Sequence, residues 1–164
     1  MKLKIFTVGG TIDKVYFDKK SLYEVGDPTI SGILSEANVT IKYGVESLLH
    51  KDSLDMDSKD RRFIANAVEK EECKKILITH GTDTMIKTAK CVKKAIAKTD
   101  KTIVFTGSMT PAIFRSSDAE FNIGGALIAV QILPPGVYIV INGKVFNPEK
   151  SKKNVEKSCF EKIK

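Results

Sequence analysis

The chain has no tryptophan, arginine only at positions 61, 62 and 115, two histidines and three cysteines. Cys73, Cys91 and Cys159 lie far apart, their number is odd and no C-x-x-C pair occurs. That argues against a disulfide framework and for reduced thiols. His50 and His80 lack the H-E-x-x-H spacing of a zinc hydrolase, so no metal site is expected. No apolar run approaches the roughly 20 residues of a membrane span, and the opening residues lack a signal-peptide layout. A cytoplasmic protein with no membrane partner is the expectation. G-x-G-x-x-G and G-x-x-x-x-G-K-[ST] are both missing, which weighs against nucleotide binding. So is G-x-S-x-G, which weighs against a serine hydrolase of the α/β type.

The net charge of +7 is almost all lysine. Lys87, Lys90, Lys93, Lys94, Lys98 and Lys101 recur at helical spacing opposite Ala89, Val92, Ile96 and Ala97. This is the solvated face of an amphipathic helix. Proteins that read nucleic acids add base-reading arginines or stacking aromatics to their phosphate-binding charge. With little of either in or beside the lysine run, no nucleic-acid partner is expected.

A regular alternation of strand-like and helix-like segments fills the 164 residues, enough for one domain that buries roughly two-thirds of its unfolded surface. Residues 2–8 (KLKIFTV) read as a buried strand ending in Gly9-Gly10. The polar stretch 11–27, with Tyr16, Phe17 and Tyr23, suggests a hairpin or a mobile flap. Residues 28–37 read as a short helix capped by Asp27 with Pro28 at its first position. Further strands are expected at 39–45, 74–79, 102–106, 136–142 and 144–146, and helices at 57–71, 82–98 and 118–133. The tail from Asn147 reads as polar and weakly helical. Such alternation predicts a three-layer α/β domain with a mostly parallel sheet.

Open α/β sheets bind ligands beyond the carboxyl ends of their strands. Three such ends here place glycine beside a hydroxyl: Gly9-Gly10-Thr11, His80-Gly81-Thr82-Asp83-Thr84 and Gly107-Ser108-Met109. Glycine lets backbone N–H groups approach a ligand, and hydroxyls attack, relay protons or bind. Singly, each segment reads equally well as a turn or a helix cap: Thr82 as an N-cap, Asp83 and Thr84 as partners of the helix's positive end.

Taken together, Gly9-Gly10-Thr11-Ile12, Asp52-Ser53-Leu54-Asp55-Met56 and His80-Gly81-Thr82-Asp83-Thr84-Met85 strongly resemble the bacterial-type L-asparaginase/glutaminase family. Supporting matches are Thr106-Gly107-Ser108-Met109 with Pro111, Ser117-Asp118 with Phe121-Asn122, and Val140-Ile141-Asn142-Gly143. The resemblance covers essentially the whole chain and implies the family's N-terminal-domain fold. It implies hydrolysis of L-asparagine to aspartate and ammonia without a cofactor, with Thr11 attacking to form an acyl-enzyme. A lone threonine hydroxyl needs a base within hydrogen-bond reach. The resemblance supplies a flap tyrosine and a set formed by Thr82, Asp83 and Lys153. Tyr23-Glu24-Val25-Gly26 matches the family's flap motif, while Tyr16 lies closer in sequence to Thr11; one of the two is expected to act. Ser53 matches the residue that holds the substrate's α-carboxylate and Asp83 the one that binds its α-ammonium. The backbone around Gly10, Thr82 and Ser108 is expected to handle the amide and its oxyanion.

The sequence also departs from the family. Leu54 stands where glutamine or serine is usual, Thr110 where arginine often is, and the resemblance reaches only the catalytic domain, so residues 1–164 are expected to form one such domain without the family's smaller second one. A homodimer or higher homo-oligomer is expected, because a neighbour then covers the cleft. Two other readings stay open: glutaminase, since one methylene is discriminated by only about 10–200-fold, and a catalytically weak asparagine- or aspartate-binding module or amidotransferase-like component. A mere binder needs Ser53 and Asp83 but not Thr11 or Lys153.

Overall fold

The computed structural model describes residues 2–17, 22–97 and 100–163, apart from the Phe17 side chain. Its central sheet has six strands: β1 (Lys2–Thr7), β4 (Lys42–Ser47), β5 (Lys75–Thr79), β6 (Thr102–Thr106), β7 (Gly136–Ile141) and β8 (Lys144–Phe146). Their spatial order is β4-β1-β5-β6-β7-β8. The first five run parallel, and β8 folds back antiparallel on β7. Two small antiparallel hairpins stand apart from the sheet, β2 (Lys14–Phe17) with β3 (Leu22–Val25), and β9 (Ser151–Asn154) with β10 (Cys159–Lys162).

Because strand side chains alternate between faces, the central strands must be apolar throughout to be buried on both sides. In β5, Ile76 and Ile78 join one core cluster and Leu77 the other. The first core packs α2 (Ser58–Lys70) and α3 (Met85–Ala95) onto the sheet through Ile64, Val68, Met85, Ala89 and Val92. The second packs α1 (Ile30–Glu36) and α4 (Ala119–Ile132) through Ile30, Leu34, Ile123, Ala126 and Val130. The expected three-layer α/β architecture is therefore present, with helices on both faces of the sheet.

Several local expectations shift. α1 starts at Ile30 behind Thr29, not behind Asp27. The Thr29 N–H and hydroxyl both donate to Asp13 Oδ1, each at 2.9 Å, so Asp13 fixes this helix entrance from another element. The strand expected at 39–45 runs from Lys42 to Ser47, where it pairs with β1. α3 begins at Met85, and Thr82–Thr84 form the turn before it, so Thr82 is not a helix cap. Lys98 and residues 18–21 of the expected flap lie outside the described residues, and Ala97 is exposed. The tail is helical only in a short 3-10 turn, Pro148–Lys150, capped by Asn147, and then forms the β9–β10 hairpin, anchored by Phe160, which is buried beside Phe146 at a ring separation of 6.0 Å. Lys93 donates to Asn147 at 3.2 Å, so part of the lysine face of α3 ties down the tail.

Candidate active site

β1 lies between β4 and β5, so the chain leaving β1 winds to one side of the sheet and later returns on the other. A crevice opens at such a switch point, beyond the carboxyl ends of the two strands. Gly9-Gly10-Thr11 leaves β1 there, and His80-Gly81-Thr82 leaves β5. The two ends interlock. Gly10 has φ 99°, and a Cβ on it would lie 2.3 Å from Gly81 Cα and N. A Cβ on Gly81 would in turn stand 2.7 Å from Ser53 Cβ and Oγ. Only glycine permits this approach, which holds the β1 end, the β5 end and the Ser53 turn in one cluster. Thr11 follows Gly10 directly and is half-buried, at the start of a 3-10 turn.

Thr82 is buried, and its hydroxyl accepts a hydrogen bond of 2.8 Å from Lys153 Nζ. The same amino group meets Asp83 Oδ1 at 2.6 Å. Lys153 comes from β9, where it pairs with Phe160 of β10, so the tail hairpin returns it to the β5 end. Because the Thr82 oxygen accepts from lysine, its own hydrogen remains available to donate elsewhere.

Ser53 is buried, and its Oγ has no hydrogen-bond partner among the described residues. A buried hydroxyl without a partner is unusual and costs free energy unless a ligand or water satisfies it. Its 3-10 turn is capped by Asp52, whose carboxylate accepts from Leu54 N–H at 3.0 Å and pairs with Lys14 at 2.6 Å. Burial pushes the Asp52 pKa up, but these two partners outweigh it and hold the carboxyl below its usual range.

Beneath these groups lies a frame of buried polar contacts whose pairing no local motif records. His80 is completely buried; Nδ1 faces the Gly81 carbonyl at 2.8 Å, and Nε2 faces the Thr88 hydroxyl at 2.8 Å. A carbonyl only accepts, so Nδ1 carries the proton and Nε2 accepts from Thr88. Burial lowers the His80 pKa to about 4, against a smaller opposing effect of the Gly81 bond, and keeps the ring neutral. The Thr84 hydroxyl then donates to the Ser53 carbonyl at 2.7 Å, tying the β5 turn to the Ser53 turn. Behind Ser108, the Asp118 carboxylate accepts from the Met109 and Thr110 N–H groups. Asn122 links that carboxylate to the Gly107 carbonyl and to Asn142 N–H. Ser108 itself donates to the Thr110 carbonyl at 2.5 Å.

Tyr16 and Tyr23 face each other across the β2–β3 hairpin, with ring centroids 5.5 Å apart. Tyr23 also packs edge-on against Phe114 and lines a cavity of about 770 Å³ with Lys14, His50, Asp52 and Leu54. Both rings are about half exposed, and among the described residues neither phenol is hydrogen-bonded to Thr11. The structure thus brings Gly10, Ser53, Thr82, Asp83 and Lys153 together by direct contacts. Thr11 sits beyond the end of β1 and Ser108 beyond the end of β6, on either side of β5, and the tyrosines on the hairpin that follows Thr11.

Among known proteins, the family model described as "Asparaginase, N-terminal" matches residues 2–162. The L-asparaginase of Thermococcus kodakarensis is 32% identical over 150 residues, covering 88% of this chain and 45% of that protein. A glutaminase-asparaginase of Acinetobacter glutaminasificans is 32% identical over 117 residues, covering 67% of this chain and 34% of that protein. The chain therefore spans less than half the length of these two relatives. The solved structure of the thermostable T. kodakarensis enzyme superimposes with a TM-score of 0.86 at 28% identity, covering 99% of this chain and 51% of that one.

Proposed function

The chain belongs to the asparaginase family, and on that premise we propose that it hydrolyses the side-chain amide of L-asparagine, giving aspartate and ammonia. The observation that carries this reading is the Lys153 amino group, brought from a distant hairpin to within 2.8 Å of the Thr82 hydroxyl. A module that only bound an amino acid would have no use for that contact.

In this reading Thr11 Oγ1 attacks the amide carbon while its proton passes by way of the flap tyrosine towards the departing nitrogen. The C–N bond breaks, ammonia leaves, and an aspartyl ester remains on Thr11. Water directed by the Thr82 hydroxyl and Lys153 attacks the ester, releases aspartate and restores the threonine proton. Tyr23 is the better placed of the two phenols, since it lines the cavity beside the Ser53 turn; Tyr16 packs against it. The unpaired buried Ser53 hydroxyl donates to the α-carboxylate. Asp83 keeps one oxygen for Lys153 and offers the other to the α-ammonium, a charge-assisted bond that gains strength as water is excluded. Backbone N–H groups around Gly10, Thr82 and Ser108 stabilise the oxyanion.

Residues 1–164 act as one catalytic domain, assemble as a homo-oligomer and work in the cytoplasm, a location in keeping with the three unpaired cysteines. Among the described residues no helix is long and apolar enough to cross a membrane. Glutamine hydrolysis is the second reading, favoured by the name of the Acinetobacter relative. Ammonia release from L-asparagine and L-glutamine over a wide concentration range tests both. We expect a higher kcat/KM for asparagine; equal or reversed preference makes the chain a glutaminase, and release from neither amide refutes the enzyme reading.

A further inference from the structure

The β2–β3 hairpin buries little apolar surface of its own. Leu22, Tyr16 and Tyr23 are 59%, 49% and 48% exposed, so packing alone holds it weakly. A cavity of about 770 Å³ opens between β3 and residues 50–55. Lys14 spans this gap. Its Nζ lies 2.6 Å from Asp52 Oδ2, and both side chains are about three-quarters buried. An ion pair so far withdrawn from water is screened less than one on the open surface. Asp52 uses its other oxygen, Oδ1, to accept from Leu54 N–H at 3.0 Å and so caps the turn that buries Ser53. The main chain of Lys14 is tied as well: its N–H donates to the Thr11 carbonyl and closes the 3-10 turn that Thr11 begins. One residue thus joins the Thr11 turn, the Ser53 turn and the hairpin.

Cross-strand partners share a face of a hairpin, as do residues two apart on one strand. Lys14 stands opposite Val25 and Tyr16 opposite Tyr23, so these four lie on one face. That face is turned towards the strand ends, because a Cβ on Gly9 would lie 2.9 Å from Val25 Cγ1. Lys14 therefore grips Asp52 from the side that carries the Tyr23 ring. We propose that Lys14 is a positioning residue: through Asp52 it holds the hairpin, and with it Tyr23, against the turn that carries Ser53. The proposal rests on the reading above for what Tyr23 does; what the ion pair holds is independent of that reading.

Hydrogen–deuterium exchange and steady-state kinetics on asparagine test it, with Lys14→Met, Lys14→Arg, Tyr23→Phe and the Lys14→Met, Tyr23→Phe double variant. Methionine keeps the stem and drops the charge. In Lys14→Met the amides of β2 and β3 should exchange at least about ten-fold faster, with those of β5 unchanged. Its kcat should fall about ten-fold, since a misplaced proton-transfer group is a poor one. Lys14→Arg should stay within about three-fold of the wild type, because a pair made to one carboxylate oxygen asks for charge and reach, not for lysine geometry. Asp52→Asn keeps a good N-cap but loses the charge, so it should loosen the hairpin equally, and it decides the matter should Lys14→Met not fold. On the Tyr23→Phe background Lys14→Met should cost little more, because the lysine then has no phenol to place. A merely structural lysine would lower both backgrounds alike. Unchanged hairpin exchange, a loosened hairpin with unchanged kcat, or equal losses on both backgrounds overturns the proposal. No ammonia from the wild type, or full activity in Tyr23→Phe, refutes the reading above instead, and the exchange rates still decide whether Lys14 holds the hairpin.

Discussion

Lys153 and Thr82 are 71 residues apart in sequence, yet a single 2.8 Å hydrogen bond joins them. If that contact manages protons, replacing Lys153 by Met should lower kcat by about 10²–10⁴-fold, the usual range for a positioned acid–base group. Lys153→Arg should not rescue it, because a guanidinium does not surrender a proton. Tyr23→Phe should likewise cut kcat while Tyr16→Phe leaves it near the wild-type value. Steady-state kinetics on asparagine reads all four variants, and near-normal turnover in Lys153→Met would remove the lysine from the reaction. These residues were legible in the sequence through the motifs around them. The frame behind them was not. The bond from Thr84 to the Ser53 carbonyl and the burial of His80 join groups whose pairing depends on which strands are neighbours, and no local pattern records that. Asn122 and Asn142 were visible as family matches, but their link across the ends of β6 and β7 was not.

At the scale of elements, the turn after β5 rests on a neutral buried imidazole, and this gives the fold a pH signature. The His80 pKa falls from 6.5 to about 4 on folding, so between those values the unfolded chain binds a proton that the folded chain refuses. Stability must then fall as pH falls through that window, by about 2 kcal/mol between pH 7 and pH 5. Asp13 works in the opposite direction. Burial raises its pKa against the Thr29 bonds, so its protonation favours the fold as pH drops through its elevated value. Urea unfolding at the two pH values should show the loss in the wild type and a flattened difference in His80→Asn; an unchanged difference in the variant would assign the slope to other groups. The elements with strong periodicity, such as β5, β6 and α2, were readable because burial on one or both faces dictates their composition. β9 and β10 were not, since Ser-Lys-Lys-Asn carries no strand signal and the hairpin depends on the packing of Phe160 against Phe146. The start of α1 was misplaced for a similar reason: Asp27-Pro28 is a good local cap, but Asp13 captures Thr29 instead.

For the molecule as a whole, the doubly wound sheet brings three glycine-bearing strand ends to one edge; the β9–β10 hairpin brings Lys153 to Thr82 and Asp83 there, and the β2–β3 hairpin that follows Thr11 carries the two tyrosines. This division of labour explains why the catalytic reading rests on residues from opposite ends of the chain, and why the fold class was evident from the alternation of elements while the path of the tail was not. In the reaction proposed above, Thr11, just beyond the end of β1, forms a covalent bond with the substrate. The measurement that tests it most directly is ammonia release from L-asparagine by wild-type protein and by Thr11→Ala side by side, with the variant's fold verified by circular dichroism. The wild type should release ammonia measurably and the variant should lose at least about a thousand-fold of that rate, as expected when the nucleophile of a catalytic unit is removed. Turnover by folded Thr11→Ala within a few-fold of the wild type would contradict it.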